Sequence, residues 1–177
     1  MERLYCDASY YRGIGGMAVV APAWSGEWGG YWRSRWNVRI TATQDWEDHI
    51  VFYASCLCRS SNDAEKRALG MAFLLAYDMI YQRGEAKVEI ISDSLIVLDW
   101  IMNNKILHDP ILDPLRSLWQ RRTVILGKVK GHIGNRGNEI ADQWAKQARR
   151  ELTAKIEGSS TEHKTTKQED NTNENSL

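Results

Sequence analysis

Four acidic residues lie near the ends of apolar segments, and together they could form a site for metal ions. Asp7 and Asp93 each follow a short apolar stretch typical of a strand, whereas Glu65 and Asp142 lie early in segments with helical periodicity. Carboxylates that converge from four separate elements repel one another unless cations neutralise them. Hard divalent ions with oxygen ligands are the natural partners, Mg²⁺ first, with Mn²⁺ as a substitute.

The chemistry that such a site would support is phosphodiester hydrolysis. Two ions roughly 3.5–4 Å apart can activate a water molecule and stabilise the leaving oxygen. Each acid also has an ordinary structural interpretation: Asp7 as a turn residue, Glu65 as a charge favoured by the helix dipole, and Asp93 as a helix cap. Asp142 could equally lie on a solvated helix face. Residue type and position alone leave both interpretations open.

The segments that must position these acids follow from hydrophobic periodicity. The pattern predicts five strands, over Arg3–Ser9, Gly13–Val20, Glu27–Val38, Lys87–Ser92 and Thr123–Val129. It predicts helices over Asn62–Arg83, Ser94–Met102 and Asn138–Leu152, and another that begins at Asp113-Pro114. Apolar residues at spacings of three and four also allow a short helix within residues 37–60, through Trp46, Ile50, Tyr53 and Leu57. This order is typical of an α/β fold, a mixed sheet with helices on its faces.

Length and composition indicate one globular domain. The chain has 177 residues, 43% of them hydrophobic and 26% charged, with a net charge of zero. We place the domain at residues 1–152 and predict a disordered tail over 153–177, because that stretch is polar and lacks aromatic residues. No apolar run is long enough for a transmembrane helix, and the apolar stretch at the N-terminus is too short for a signal peptide. We therefore expect an intracellular protein, cytoplasmic or nuclear, with no membrane partner.

The cysteines and tryptophans each have a functional and a structural interpretation. Three cysteines fit reduced thiols better than a disulfide framework. The pair Cys56-x-Cys58 is half of a zinc site or, as we prefer, two small buried residues. Five tryptophans between residues 24 and 46 could stack on bases, but packing against a sheet is the favoured interpretation.

The segment from Val129 to Ala148, VKGHIGNRGNEIADQWAKQA, resembles the last active-site motif of type 1 ribonucleases H, and its GNExAD form is similar to RNase H domains of retrotransposons. Three further motifs follow the family order. YCDAS contains Asp7, SSNDAEKRAL contains Glu65, and IISDSLIVLDWI contains Asp93. The match spans roughly residues 3–150. The C-terminal motif is highly specific, the middle two moderately so, and the first is weak alone.

The resemblance implies an RNase H-like fold, with a five-stranded mixed sheet in the order 3-2-1-4-5 and helices on both faces. It implies hydrolysis of the RNA strand of RNA–DNA hybrids by two-metal-ion catalysis. The metal ligands would be Asp7, Glu65, Asp93 and Asp142, with His132 as a further catalytic residue on a mobile loop. Contacts to the hybrid would come from Ser9, Ser60, Ser61, Asn62 and Ser94. For Asn62, a role as helix cap is an equally weighted interpretation.

Departures from the family pattern bear on substrate binding and partners. Ala8 replaces the usual glycine after the first aspartate, and Leu95 stands where many members have a polar residue. Residues 37–60 are interpreted as an insertion, and the basic, tryptophan-rich protrusion of some members is missing. We expect a monomer whose hybrid binding depends on that insertion or on a partner, such as a reverse transcriptase. Two rival functions remain: a non-catalytic module that binds nucleic acid or protein, and a DNA-directed nuclease on the same fold.

Overall fold

The structure is a computed structural model that describes residues 1–24, 28, 30–94, 99, 103, 118, 120–129 and 134–173, the side chains of Tyr31 and of residues 161–173 excepted. Within that part of the chain, six strands form one sheet in the order β3-β4-β2-β1-β5-β6. The strands are β1 (Glu2–Tyr11), β2 (Ile14–Pro22), β3 (Arg39–Ala42), β4 (His49–Leu57), β5 (Val88–Ser92) and β6 (Val124–Lys128). The helices are α1 (Gly30–Arg35), α2 (Ser61–Tyr81) and α3 (Arg136–Asn173).

The sheet is mixed, as predicted. β1, β2, β4 and β3 pair antiparallel, whereas β5 runs parallel to β1 and to β6. Without the short edge strand β3, the order is the predicted 3-2-1-4-5. The α/β class and the RNase H-like strand order are confirmed, and β3 is an additional sixth strand.

Alternating residues of the central strands divide the interior into two cores. Leu4 and Cys6 of β1 pack in the core that includes the apolar face of α2, whereas Tyr5 packs in the core that includes α3. The same alternation separates Val19 from Val20 in β2. Because successive strand side chains point to opposite faces, each central strand supplies both cores. Helices therefore cover both faces of the sheet, as predicted.

The predicted third strand, Glu27–Val38, is wrong. Its described part contains α1, which is followed by a turn at Trp36 and Asn37. Trp28 and Trp32 are four residues apart, a helical spacing, and both rings pack against Phe52. Burial of these two tryptophans confirms the preference for core packing over base stacking.

The predicted helix within residues 37–60 is also wrong, because that segment forms β3 and β4. β4 pairs with β2 from His49 to Leu57, with Ile50 and Phe52 in one core and Val51 in the other. This period of two is the strand signal, and the spacing of three and four was coincidental. Whether residues 37–60 are an insertion relative to the family that the sequence resembles stays a prediction, but their strands belong to the sheet.

α2 confirms the strongest helix prediction, with a different cap. Ser60 has extended backbone angles, and its Oγ accepts a hydrogen bond from the backbone N–H of Asp63 at 3.1 Å. The Asp63 carboxylate in turn accepts from the backbone N–H of Arg59 at 2.9 Å. The cap is therefore Ser60, and the interpretation of Asn62 as the helix cap is wrong.

The last predicted helix exists but is longer than Asn138–Leu152. α3 runs from Arg136 to Asn173, and the disordered tail expected over residues 153–177 stays a prediction. The domain boundary at residue 152 stays a prediction. The helices expected over Ser94–Met102 and from Asp113 lie almost entirely outside the described residues, apart from helical backbone at Asp99, Leu118 and Gln120.

Candidate active site

Three of the four predicted acids meet at one point. Carboxylate oxygens of Asp7, Glu65 and Asp93 all lie within 4.8 Å of one another. Asp7 is buried, with 3% of its surface exposed, and the other two are half-buried. Three oxygen ligands at this separation are suited to a hard divalent cation.

Strand register brings Asp7 to Asp93. β1 pairs with β5 up to Tyr5, which lies opposite Ile91 near the carboxyl end of β5. Asp7 is two residues further along β1 and Asp93 is two residues further along the chain, so both lie just past the paired region. The first strand was predicted to end at Ser9, whereas β1 continues to Tyr11. Asp7 therefore lies in the middle of β1, beside the point where the parallel strand β5 ends.

Glu65 reaches the same point from α2. That helix lies on one face of the sheet, and Ala64 and Ala68, on either side of Glu65 in sequence, are completely buried. Small residues at these positions let the start of the helix approach β1 and β2 closely. The cap at Ser60 fixes where the helix begins, and therefore how far along the sheet Glu65 is placed.

The cluster is electrostatically unfavourable when its acids are charged. Burial, with the nearby charge of Asp93, raises the pKa of Asp7 from 3.8 to about 7. Burial, followed by the charges of Asp7 and Asp93, raises the pKa of Glu65 from 4.5 to about 9. The Asp7 Oδ1 accepts a hydrogen bond from the Ala8 N–H at 2.8 Å, but its buried Oδ2 has no hydrogen-bond partner among the residues that the structure describes. An unpaired buried oxygen among mutually repelling carboxylates is a position that a cation would satisfy.

Asp142 lies at the margin of this cluster and does not join its closest group. Its charge contributes to the raised pKa of Asp7, after burial and the charge of Asp93. Its Oδ2 accepts a hydrogen bond from Lys146 Nζ at 2.8 Å, one turn further along α3. The fourth predicted acid is thus near the other three, with a lysine beside it.

Two glycines let α3 lie directly against the sheet and so position Asp142. A Cβ on Gly16 of β2 would lie 2.0 Å from the backbone oxygen of Ala145, and a Cβ on Gly137 would lie 2.3 Å from the ring of Tyr5. Neither distance is compatible with a side chain unless backbone or ring moves. Close approach of helix and strand therefore depends on glycine at both positions.

The predicted substrate contacts have varied surroundings. Ser9 Oγ accepts a hydrogen bond from Arg149 Nε at 2.9 Å. Ser60 caps α2, Ser61 is exposed at its first residue, and Asn62 is half-buried in its first turn. Ser94 is half-buried beside Asp93, and its N–H donates to Ser92 Oγ at 3.2 Å. His132 lies outside the described residues.

Two basic residues near the site were missed by the sequence reasoning. Lys146 pairs with Asp142, and Arg149 contacts Ser9 and lies 5.6 Å from the ring centroid of Tyr11. Their spacing from Asp142, four and seven residues, places all three on one face of a helix. That spacing was the available signal.

Comparison with known proteins agrees with this geometry. The sequence profile of the family described as RNase H matches residues 2–150, most of the chain. The chain belongs to the RNase H family. In sequence, none of the curated proteins matches it.

Solved structures share the fold of this RNase H family member. A structure of the foamy viral protease-reverse transcriptase in complex with dsDNA has a TM-score of 0.55 at 19% identity, covering 84% of this chain and 93% of that one. RNase H1 from the halophilic archaeon Halobacterium salinarum NRC-1 has a TM-score of 0.50 at 18% identity, covering 83% and 96%. At these identities the likeness extends to the fold alone. In the part of the chain that the structure describes, no helix has the length and apolarity to cross a bilayer.

Proposed function

We propose that this protein is a ribonuclease H that hydrolyses the RNA strand of RNA–DNA hybrids, leaving 5′-phosphate and 3′-hydroxyl ends. The observation that carries the proposal is the convergence of Asp7, Glu65 and Asp93, with carboxylate oxygens within 4.8 Å of one another, in a member of the RNase H family. Two Mg²⁺ ions, for which Mn²⁺ could substitute, are the proposed cofactors.

The residues present fit such ions. All the donors are carboxylate oxygens, the ligand type that Mg²⁺ prefers. The raised pKa values of Asp7 and Glu65 mean that these carboxyl groups bind protons near neutral pH, and metal ions would replace those protons. When bound, the ions would supply a water of lowered pKa and positive charge beside the scissile phosphate.

The chain itself would hold and orient these ions. Asp7, whose buried Oδ2 has no hydrogen-bond partner among the described residues, is the proposed bridging ligand, and carboxylate oxygens of Glu65 and Asp93 lie within 4.8 Å of its own. Asp142 is the proposed fourth ligand, and binding there would compete with its ion pair to Lys146. Lys146 would then be free to meet a phosphate of the substrate.

Recognition of RNA requires contacts to the 2′-hydroxyl. Ser60, Ser61 and Asn62 are the proposed residues for this, since the first two are exposed at the start of α2. Ser9 and Ser94 lie close in sequence to the ligands Asp7 and Asp93, and we propose them as contacts to the strand that is cut.

His132 is proposed to assist departure of the product and not to act as general base. Gly131, Gly134 and Gly137 lie around it in sequence. Gly134 has a positive φ of 90°, and its N–H donates to Glu139 Oε1 at 3.2 Å. A water with an already lowered pKa needs less help from a base.

The decisive experiment offers labelled RNA–DNA hybrid, duplex DNA and duplex RNA to the protein, each with Mg²⁺, with Mn²⁺ or with EDTA. The proposal expects cleavage of the RNA strand of the hybrid alone, and only with a metal. Cleavage of duplex DNA would favour the DNA-directed nuclease. Binding without cleavage under every condition would favour the non-catalytic module. Size-exclusion chromatography of the same preparation tests the expected monomer. A reverse transcriptase is the proposed protein partner.

A further inference from the structure

Cys56 and Cys58 form a close pair of thiols next to the start of α2. Cys56 is the penultimate residue of β4 and Cys58 directly follows that strand, so the two side chains point to the same face of the sheet. Their Sγ atoms are 3.6 Å apart. Gly15 on the neighbouring strand makes room for them, since a Cβ there would lie 2.4 Å from the Cys58 sulfur. The sulfurs are therefore held together by the sheet.

Cys56 lies in surroundings that make a thiol reactive. It is half-buried at the wall of a cleft of about 210 Å³, which Arg35, Trp36 and Arg67 also line. The hydrogen bond with Cys58 lowers the pKa of Cys56 to about 7, burial acts against this, and the charge of Arg67 adds to the lowering. Hydrogen bonding to Cys56 and burial raise the pKa of Cys58. One sulfur is thus poised as a thiolate and the other as a thiol.

Only two residues separate Cys58 from the start of α2. The backbone N–H of Cys58 donates to the Gly13 carbonyl at 2.9 Å, and the helix cap Ser60 is only two residues further on. Glu65 follows in the first two turns of α2. Any displacement of Cys58 is therefore transmitted to the cap that sets the position of a proposed metal ligand.

We propose that Cys56 and Cys58 are a thiol oxidation site that a hydroperoxide closes to a disulfide. The Cys56 thiolate attacks one peroxide oxygen, the O–O bond breaks, and hydroxide or alkoxide leaves while Cys56 becomes a sulfenic acid. The Cys58 sulfur then attacks Cys56, the S–O bond breaks, and the departing hydroxide takes the Cys58 proton as water. Two thiols lose two electrons, and the peroxide gains them.

We expect closure to move the backbone after β4. A disulfide brings the sulfurs to about 2 Å, so they approach by roughly 1.5 Å. Gly15 and β4 are held in the sheet, whereas Cys58 and Arg59 lie between the strand and the helix. The displacement therefore falls on Cys58 and on the cap of α2. Its effect on catalysis rests on the proposed function, because it acts through Glu65.

The chemical test does not depend on nuclease activity. The reduced protein is treated with hydrogen peroxide, remaining thiols are alkylated, and each cysteine is quantified by mass spectrometry before and after dithiothreitol. We expect Cys56 and Cys58 to become protected together and to be recovered by the reductant, while buried Cys6 stays a thiol. In Cys58→Ser, dimedone should label Cys56 as a sulfenic acid. Without peroxide, Cys56 should react with iodoacetamide about tenfold faster than Cys58.

The structural consequence is measured by hydrogen exchange over residues 58–65 and by hybrid cleavage. Oxidation should speed exchange at the start of α2 and slow cleavage about tenfold, since a misplacement of about 1 Å can cost up to a hundredfold. Both effects should be reversed by dithiothreitol and be absent in Cys56→Ser, or in Cys56→Ala if serine disturbs folding. If the reduced protein does not cleave hybrids, the proposed function fails, and exchange alone decides the present inference.

Three results would overturn it. One is persistence of both free thiols under peroxide, and another is a disulfide between two chains in place of one within the chain. The third is a closed disulfide that leaves both exchange and cleavage unchanged.

Discussion

Replacing Asp7 by asparagine removes one negative charge from the carboxylate cluster while keeping the size of the side chain. In the wild-type protein the pKa of Asp7 is raised from 3.8 to about 7, first by burial and then by Asp93. Its folded state therefore binds a proton more tightly than its unfolded state does. The stability that protonated Asp7 contributes is fully present below pH 3.8 and is lost as the pH rises through about 7.

The size of this effect follows from the shift. At about 1.4 kcal/mol per pH unit, a pKa moved from 3.8 to about 7 corresponds to roughly 4 kcal/mol at pH 8. Asparagine carries no charge, so the electrostatic part of this penalty is removed. It still buries a polar group, one atom of which has no hydrogen-bond partner among the described residues. We therefore expect Asp7→Asn to stabilise the metal-free protein by about 1–3 kcal/mol at pH 8, or roughly 3–10 °C in Tm. At pH 4.5 the penalty on the wild type is only about 1 kcal/mol, so the gain should disappear or change sign.

Thermal unfolding in EDTA at both pH values measures this, with Glu47→Gln as the control that removes an exposed charge away from the cluster. Adding Mg²⁺ should stabilise the wild type and not Asp7→Asn, because the proposed bridging ligand is lost. Hybrid cleavage should fall by at least about a thousandfold, roughly 4 kcal/mol of barrier. If Asp7→Asn still cleaved hybrids, Asp7 would not be a ligand of the catalytic metal ions. If the variant were less stable than the wild type at pH 8 in EDTA, the electrostatic argument would be wrong.

Three further substitutions test the packing around the site and its loop. Gly16→Ala should lower the free energy of unfolding by about 1–3 kcal/mol in urea, because its Cβ would lie 2.0 Å from a backbone oxygen of α3. Gly30→Ala is the control and should change little, because no atom of the described residues would lie within 4 Å of its Cβ. Trp32→Phe should cost about 1–3 kcal/mol in the same assay, since the buried carboxylate of Asp78 loses the indole donor at 3.2 Å. His132→Ala should slow cleavage by one to two orders of magnitude, roughly 1.4–2.7 kcal/mol of activation free energy, and show a product burst in rapid-quench kinetics. A loss of cleavage as complete as in Asp7→Asn, without a burst, would contradict a role in product release.

Segments with a single clear period were predictable from sequence. Apolar residues at helical spacing over about twenty positions predicted α2. A compact apolar run that ends at Asp93 predicted β5. The strand order came from the family resemblance and was confirmed, apart from the extra edge strand β3. In these cases local pattern and tertiary structure agree.

The errors fell where aromatic residues satisfy two periods at once. Trp28 and Trp32 suit either a strand or a helix until the position of Phe52 is known, and the apolar residues of β4 also fit a helical spacing. Tertiary contacts decided both segments, because the local preferences were close to balanced. The cap of α2 is Ser60 for a similar reason, because the four consecutive polar residues from Ser60 to Asp63 are each able to cap a helix.

The order of the four acids and the motifs around them were enough to select them as candidates for the site. How close they come was set by the packing of distant elements: Asp7, Glu65 and Asp93 converge where β5 ends beside a continuing β1, and Asp142 remains at the margin with Lys146. Burial and mutual repulsion, which raise the pKa values of Asp7 and Glu65, depend on separations across the chain that no local pattern contains. The thiol pair beside α2 has the same origin, since a two-residue spacing becomes a 3.6 Å contact only when a strand holds both sulfurs on one face.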